Sequence, residues 1–182
     1  MTRLISGTAG GRRLAAPTGR GTRPTSDRTR EGLFSSLQSL CGDLAGGSFL
    51  DLFAGSGAVG LEAASRGAAP VTLVERDPKA ARVIRSNIAA IEAAGVELVE
   101  SSVERFLAGD PVSYDIVFID PPYADPVDDV LARLVSGGWL ATGAVVCVER
   151  ASRDDALSWP EGLEVLRSRR YGDSTLWYGR AS

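Results

Sequence analysis

Histidine is missing from all 182 residues of this chain. Its absence excludes Ser-His-Asp and Cys-His nucleophile systems, HExxH metalloproteases and every zinc finger with a histidine ligand. Cysteine is almost as scarce. Cys41 and Cys147 lie far apart and fit no CxxC spacing, so they make neither a zinc site nor a disulfide framework, and no metal is expected. A reduced, cytoplasmic setting follows. Long apolar runs are lacking too. No stretch approaches the roughly 18 residues that span a bilayer, and residues 1–7 carry no apolar secretory segment. No membrane partner is expected. Lysine is reduced to Lys79, so arginine carries nearly all the positive charge.

What remains is an ordinary globular composition, 44% hydrophobic and 24% charged, of a length that suits one domain. The net charge of −3 hides an asymmetry. Residues 1–30 hold seven arginines and one acid, a net of +6, whereas the other 152 residues carry 13 basic and 22 acidic side chains, a net of −9. A basic arm on an acidic body points to a local polyanion contact. The guanidinium fork grips phosphate bidentately and stacks on bases. The plainer alternative is a solvated arm whose arginines reflect coding bias.

The chain order suggests a basic arm over 1–25 and a catalytic domain over 26–182. Leu4-Ile5 and Leu14-Ala15-Ala16 flank Ala9-Gly10-Gly11 as a hairpin would require, and residues 17–24 read as a Gly/Pro loop. A helix should start near Ser26-Asp27, with Leu33, Phe34, Leu37 and Leu40 at helical spacing. Strands then alternate with helices: strands at 48–52, 71–75, 96–99, 114–119 and 144–148, helices at 58–66, 78–90, 103–107 and 127–135. Two closing strands are expected at 164–169 and 175–178. Repeated βα units predict a doubly wound, mostly parallel α/β sheet of Rossmann type, whose ligands bind beyond the carboxyl ends of its strands.

Two motifs fall at such ends. Asp51-Leu52-Phe53-Ala54-Gly55-Ser56-Gly57-Ala58-Val59-Gly60 contains G-x-G-x-x-G, and Glu75 follows Gly55 by 20 residues at the end of the next strand. Glycines let the backbone turn and approach a nucleoside cofactor, and the acid can accept both ribose hydroxyls. A bare strand-to-helix turn has the same glycines but no need of the acid. The loop alone does not separate NAD from other adenosine cofactors. Asp51 tilts the choice, because a carboxylate under the loop repels a pyrophosphate and suits a cation. The second motif, Asp120-Pro121-Pro122-Tyr123, ends the apolar strand 114–119. Its prolines fix φ and leave carbonyl acceptors. A carboxylate and a carbonyl suit an amino group with two hydrogens, and Tyr123 offers a face for stacking a base. A proline turn with a capping Asp is the bland reading.

Together these residues resemble a class I methyltransferase that uses S-adenosylmethionine. Gly10-Gly11-Arg12-Arg13-Leu14, the stretch from Arg23-Pro24-Thr25-Ser26-Asp27-Arg28 to Leu33-Phe34, and Tyr171-Gly172-Asp173-Ser174 resemble the RsmD family. That family methylates N2 of one guanine in 16S rRNA of the bacterial small ribosomal subunit. Gly32 departs from the larger residue the family helix would carry and should weaken that helix.

The resemblance implies a seven-stranded Rossmann-like sheet with an N-terminal hairpin-plus-helix extension, acting as a monomer. It places S-adenosylmethionine, and its product S-adenosylhomocysteine, against Asp51, Ala54, Gly55 and Gly57, with Glu75 and Arg76 on the ribose side and Ser102 and Val103 near the adenine. Asp120, Pro121, Pro122 and Tyr123 become the catalytic set, and Arg12, Arg13, Arg23, Arg28 and Arg30 the RNA contacts. The competing readings are an amine methyltransferase acting on DNA adenine N6 or protein glutamine, and more remotely an NAD-dependent oxidoreductase.

Overall fold

The structure is a computed structural model that describes residues 2–17, 25–122 and 126–182. Strands β1 (Thr2–Arg3) and β2 (Arg13–Leu14) pair antiparallel as the hairpin. Helix α1 (Asp27–Cys41) begins at Ser26, whose hydroxyl accepts from the Thr29 amide at 3.1 Å, and ends at Gly42 with φ of 77°. Its buried face is Leu33, Phe34 and Leu37. The βα series follows: β3 (Phe49–Leu52), α2 (Ala58–Ser65), β4 (Val71–Glu75), α3 (Pro78–Ala90), β5 (Val96–Glu100), α4 (Val103–Phe106), β6 (Tyr114–Ile119), α5 (Val127–Ser136), β7 (Leu140–Ala151), β8 (Leu163–Tyr171) and β9 (Ser174–Ala181). Helix α3 has Asp77 as its cap and proline in its first turn, where the missing N–H costs nothing.

The main sheet has seven strands in the order β5-β4-β3-β6-β7-β9-β8. Strands β3 to β7 run parallel, and β9 pairs antiparallel with both β7 and β8. The chain leaves β3 toward β4 on one side and later returns to β6 on the other. The two crossovers diverge between β3 and β6, which opens a crevice at their carboxyl ends. Strand alternation splits the core into two layers. Ile116 and Phe118 face one layer with Phe34, Phe49 and Cys147; Val117 and Ile119 face the other with Leu50, Leu131 and Trp139.

Strand β7 is longer than the apolar stretch 144–148 that predicted it. It is paired on both sides, with Leu140 opposite Tyr114 and residues 149–151 opposite 174–176, so the ladder carries polar residues beyond the hydrophobic run. The hairpin shares the core of the sheet layer, with Leu4 and Leu14 fully buried in the cluster that holds Leu33 and Phe34. Its backbone is tied to two helices. Ile5 and Ser6 amides donate to Glu62 at 2.7 and 3.0 Å, the Ala9 amide to Ser65 Oγ at 2.9 Å, and the Ala15 amide to Asn87 Oδ1 at 2.8 Å. Among the described residues, no helix is long and apolar enough to cross a membrane.

Candidate active site

A cavity of about 540 Å³ opens where β3, β4, β6 and β7 end. The glycine loop forms its floor. Three residues in this turn take left-handed φ: Phe53 at 64°, Gly55 at 59° and Gly57 at 79°. A Cβ on Gly55 would meet no atom within 4 Å, so its bare face opens onto the cavity that it lines. Gly60 serves packing instead. A Cβ there would collide with Leu73 Cδ2 on β4, so glycine lets α2 lie close to the sheet.

Two carboxylates hold the loop. Glu75 accepts from the Gly55 amide through Oε2 and from the Asp77 amide through Oε1, both at 2.8 Å. Each carboxylate oxygen has a second acceptor site, so Glu75 can shape the loop and still receive a ribose hydroxyl. Asp51, almost fully buried, accepts from the Gly60 amide at 2.9 Å. Burial pushes its carboxyl up to about 7; the Gly60 bond opposes this, and the Glu75 charge adds to it. A bound cation would relieve that cost.

Asp120, Pro121 and Pro122 stand across the crevice at the end of β6 and line the same cavity. The Asp120 carboxyl is held well above its usual range, first by burial and then by repulsion from Glu149 and Asp51. Three carboxylates, one from each of β3 and β7 and one just after β6, therefore face a single space. Such a pocket favours ligands that bring positive charge or N–H donors.

Of the cofactor contacts expected from the sequence, Asp51, Ala54, Gly55, Glu75, Arg76 and Val103 line the cavity. Gly57 does not: it is buried under Ile84 and Leu73 and supplies the turn into α2. Ser102 is also displaced from its expected role. Its hydroxyl caps α4 by accepting from the Arg105 amide at 3.2 Å, and Ser101 lines the cavity in its place.

Arg30 requires the largest correction. It was expected at the RNA surface, yet its side chain is completely buried. It bonds Asp27 Oδ1 at 3.0 Å, Thr2 Oγ1 at 3.2 Å and the Arg3 carbonyl, and it lies 3.9 Å from Glu62. Helical spacing puts it on the buried face of α1 with Leu33, Phe34 and Leu37, where it joins that helix to the hairpin. Arg12 and Arg13 are exposed on the hairpin, with Arg12 donating to the Ala90 carbonyl at 2.9 Å, and exposed Arg28 lines the cavity rim. Arg23 and Tyr123 lie outside the described residues.

The site also contains residues that motif reading passed over. Glu149, 8% exposed, lines the cavity and accepts from Thr25 Oγ1 at 3.0 Å. The available signal was its position directly after the apolar run 144–148, just as Asp120 follows the run in β6. Thr25, Ser26, Arg28 and Thr29 form one wall, and Tyr171 to Ser174 at the β8–β9 turn form another. Thr25 to Thr29 and Tyr171 to Ser174, from two of the three segments that carried the family resemblance, thus meet around one cavity, whereas Gly10 to Leu14 is not part of its lining.

Comparison with known proteins agrees with this architecture. A family model described as Conserved hypothetical protein 95 matches residues 2–180. The ribosomal RNA small subunit methyltransferase D of Escherichia coli is 41% identical over 171 residues, which cover 93% of this chain and 85% of that protein. Among solved structures, the E. coli methyltransferase yhhF superposes with a TM-score of 0.88 at 35% identity, covering 100% of this chain and 98% of that one. A Streptococcus mutans protein described as an S-adenosylmethionine-dependent methyltransferase shares the fold at 17% identity, with a TM-score of 0.67 over 88% of this chain and 50% of that one. The chain belongs to the Conserved hypothetical protein 95 family, the RsmD family of Rossmann-like methyltransferases.

Proposed function

We propose that this enzyme transfers the methyl group of S-adenosylmethionine to the exocyclic N2 of one guanine in 16S rRNA of the small ribosomal subunit. The observation that carries the reading is the meeting of two features in one cavity: the glycine loop with Asp51 and Glu75, and the acceptor pair of Asp120 and Pro121 across the crevice. The E. coli relative's name supports a small-subunit ribosomal RNA as the substrate.

The residues fit the cofactor. Gly55 offers a face without a side chain, Glu75 accepts ribose hydroxyls, and the buried Asp51 carboxyl suits a cationic ligand. Arg76, Ser101 and Val103 complete the nucleoside end. When bound, S-adenosylmethionine supplies a methyl carbon already activated by its sulfonium, so neither a metal nor a covalent enzyme intermediate is needed.

The chain's own task is orientation. A guanine N2 amine is a weak nucleophile because its lone pair is delocalised into the ring. Asp120 and the Pro121 carbonyl accept its two hydrogens and turn the lone pair toward the methyl carbon. The cofactor would supply the methyl carbon and keep the S–C bonding pair as a neutral thioether, and the surplus amine proton would pass to solvent. Fixed acceptors in a dry site supply the rate. Tyr123 stacks on the base, which must be unpaired or flipped out to enter. Arg12, Arg13, Arg23 and Arg28 hold phosphates. In this reading residues 1–25 are the RNA-contacting extension of a monomeric catalytic domain over 26–182, working in the cytoplasm.

The test is methyl transfer from labelled S-adenosylmethionine to 30S particles and to 16S rRNA from a strain lacking the enzyme, followed by nucleoside analysis. Label in N2-methylguanine at one position is the expected result. Label in DNA adenine or protein glutamine instead would keep the fold and site and replace the substrate.

A further inference from the structure

The mechanism above leaves Glu149 without a task, although it is among the most deeply buried acids of the cavity. Ile119 pairs with Val148 across the parallel β6–β7 ladder, so Asp120, just past the end of β6, stands beside Glu149, which is still within β7 and pairs with Leu176 of β9. Both line the cavity. The Thr25 hydroxyl, just before α1, donates to Glu149 Oε2 at 3.0 Å and fixes how the carboxylate is presented. A carboxylate has about four acceptor positions, so Glu149 can serve the Thr25 hydroxyl together with other partners.

The Watson–Crick edge of guanine presents two neighbouring kinds of donor, the N2 amine and the N1–H. Adenine presents its N6 amine beside an N1 that only accepts. One acceptor group suffices to hold an amine in either base; a second acceptor beside it distinguishes them. We infer that Glu149 accepts the N1–H of the target guanine next to the amine held by Asp120, and thereby selects guanine against bases whose N1 carries no hydrogen. The inference rests on the proposed guanine-N2 reading and adds the residue that reads the base.

The charge balance agrees. Burial first, and then repulsion from Glu149 and Asp51, raises the Asp120 carboxyl, and donors arriving at Asp120 and Glu149 offset both. A base with a lone pair at N1 would instead place that lone pair against a buried carboxylate, leaving both acceptors without a hydrogen.

The experiment compares guanine with 2-aminopurine, which keeps the 2-amine but has no hydrogen on N1. The methylated position is first mapped with wild-type enzyme. 16S rRNA is then joined around a synthetic segment carrying either base there, and initial methylation rates are measured for wild type and for Glu149→Gln. Wild type should prefer guanine by at least about tenfold, since a site built for an N–H rejects analogues that lack it. The glutamine amide can donate to the bare N1, so E149Q should shrink that preference by at least about tenfold, through slower transfer to guanine and faster transfer to 2-aminopurine. S-adenosylhomocysteine binding by calorimetry checks that E149Q retains its fold.

A wild-type preference below about tenfold overturns the inference without any variant, so it stays testable even if E149Q does not fold. A folded E149Q with the wild-type preference overturns it as well. In either case label on guanine leaves the parent reading intact. No wild-type label on either RNA removes the parent reading and this inference together.

Discussion

The ring of Tyr171 lies directly against Gly32, where a Cβ would overlap its Cζ and Cε1 atoms. The pair joins the middle of α1 to the β8–β9 turn that walls the cavity. Glycine in a helix interior costs about 1 kcal/mol relative to alanine. Here the missing side chain makes room for an aromatic ring, which accounts for the one residue that departs from the family pattern. Gly32→Ala should therefore gain less than the propensity difference in the wild-type background and the whole of it in Tyr171→Ala. Denaturant titrations of both single variants and the double variant should give a coupling of at least about 0.5 kcal/mol. Simple additivity would count against the contact.

Asp120→Ala should lower methyl transfer by at least about 100-fold, the usual scale for removing one preorganised polar contact at a reacting centre. S-adenosylhomocysteine affinity should stay within about threefold, because Asp120 lies across the crevice from the loop that holds the cofactor. Single-turnover rates and calorimetry separate the two effects. A comparable drop in both would place Asp120 on the cofactor instead of the amine.

The arginines of the N-terminal segment should divide into two classes. Neutralising Arg12 and Arg13, both exposed, should weaken RNA binding with a stability loss of no more than about 1 kcal/mol, the scale of the exposed Arg12–Ala90 bond. It should also flatten the log–log salt dependence of binding by about 0.7–0.9 for each phosphate no longer held. Arg30→Ala should do the opposite. It leaves Glu62 with one cation fewer in a buried setting and should cost of order 3 kcal/mol of folding stability. Filter binding against salt and thermal melts make the comparison. A melting temperature unchanged by Arg30→Ala would refute its structural assignment.

Asp51 predicts a pH dependence of the cofactor-free protein. Its carboxyl titrates near 7 when folded against 3.8 when unfolded. The folded state therefore holds a proton that the unfolded state has released, and stability falls as pH rises from about 4 to about 7. The full effect is at most about 4 kcal/mol. Asp51→Asn should remove this slope and raise the melting temperature at pH 8, while weakening S-adenosylmethionine binding. An Asn variant with the wild-type slope between pH 4 and 7 would assign the dependence to another group.

The sheet was legible because its strands are short apolar runs bounded by glycines, prolines and acids, and its helices carry clear caps at Ser26 and Asp77. The glycine loop and Asp120-Pro121-Pro122 were legible because backbone-restricted residues mark the ends of buried strands. Glu149 was not, because its meaning depends on lying beside Asp120, and strand order is a long-range property that no local pattern encodes. Arg30 misled for the same reason. In the sequence it is one arginine in a basic cluster, and only the packing of α1 on the hairpin turns it inward. Ser102 was placed within one residue of the cavity, but its hydroxyl is spent on a helix start.

The ties between the hairpin and the two helices also constrain the order of events during synthesis. The amide of Ile5 waits for a carboxylate 57 positions later, and that of Ala15 for a carboxamide 72 positions later. Residues 2–16 therefore leave the ribosome early and find their seats late, after α2 and α3 have emerged. Throughout that interval a stretch with three arginines and no acid stays undocked beside the ribosome's own RNA. Occupying those seats quickly should limit stray adhesion of the newborn chain, and loosening Glu62, Ser65 or Asn87 should prolong it.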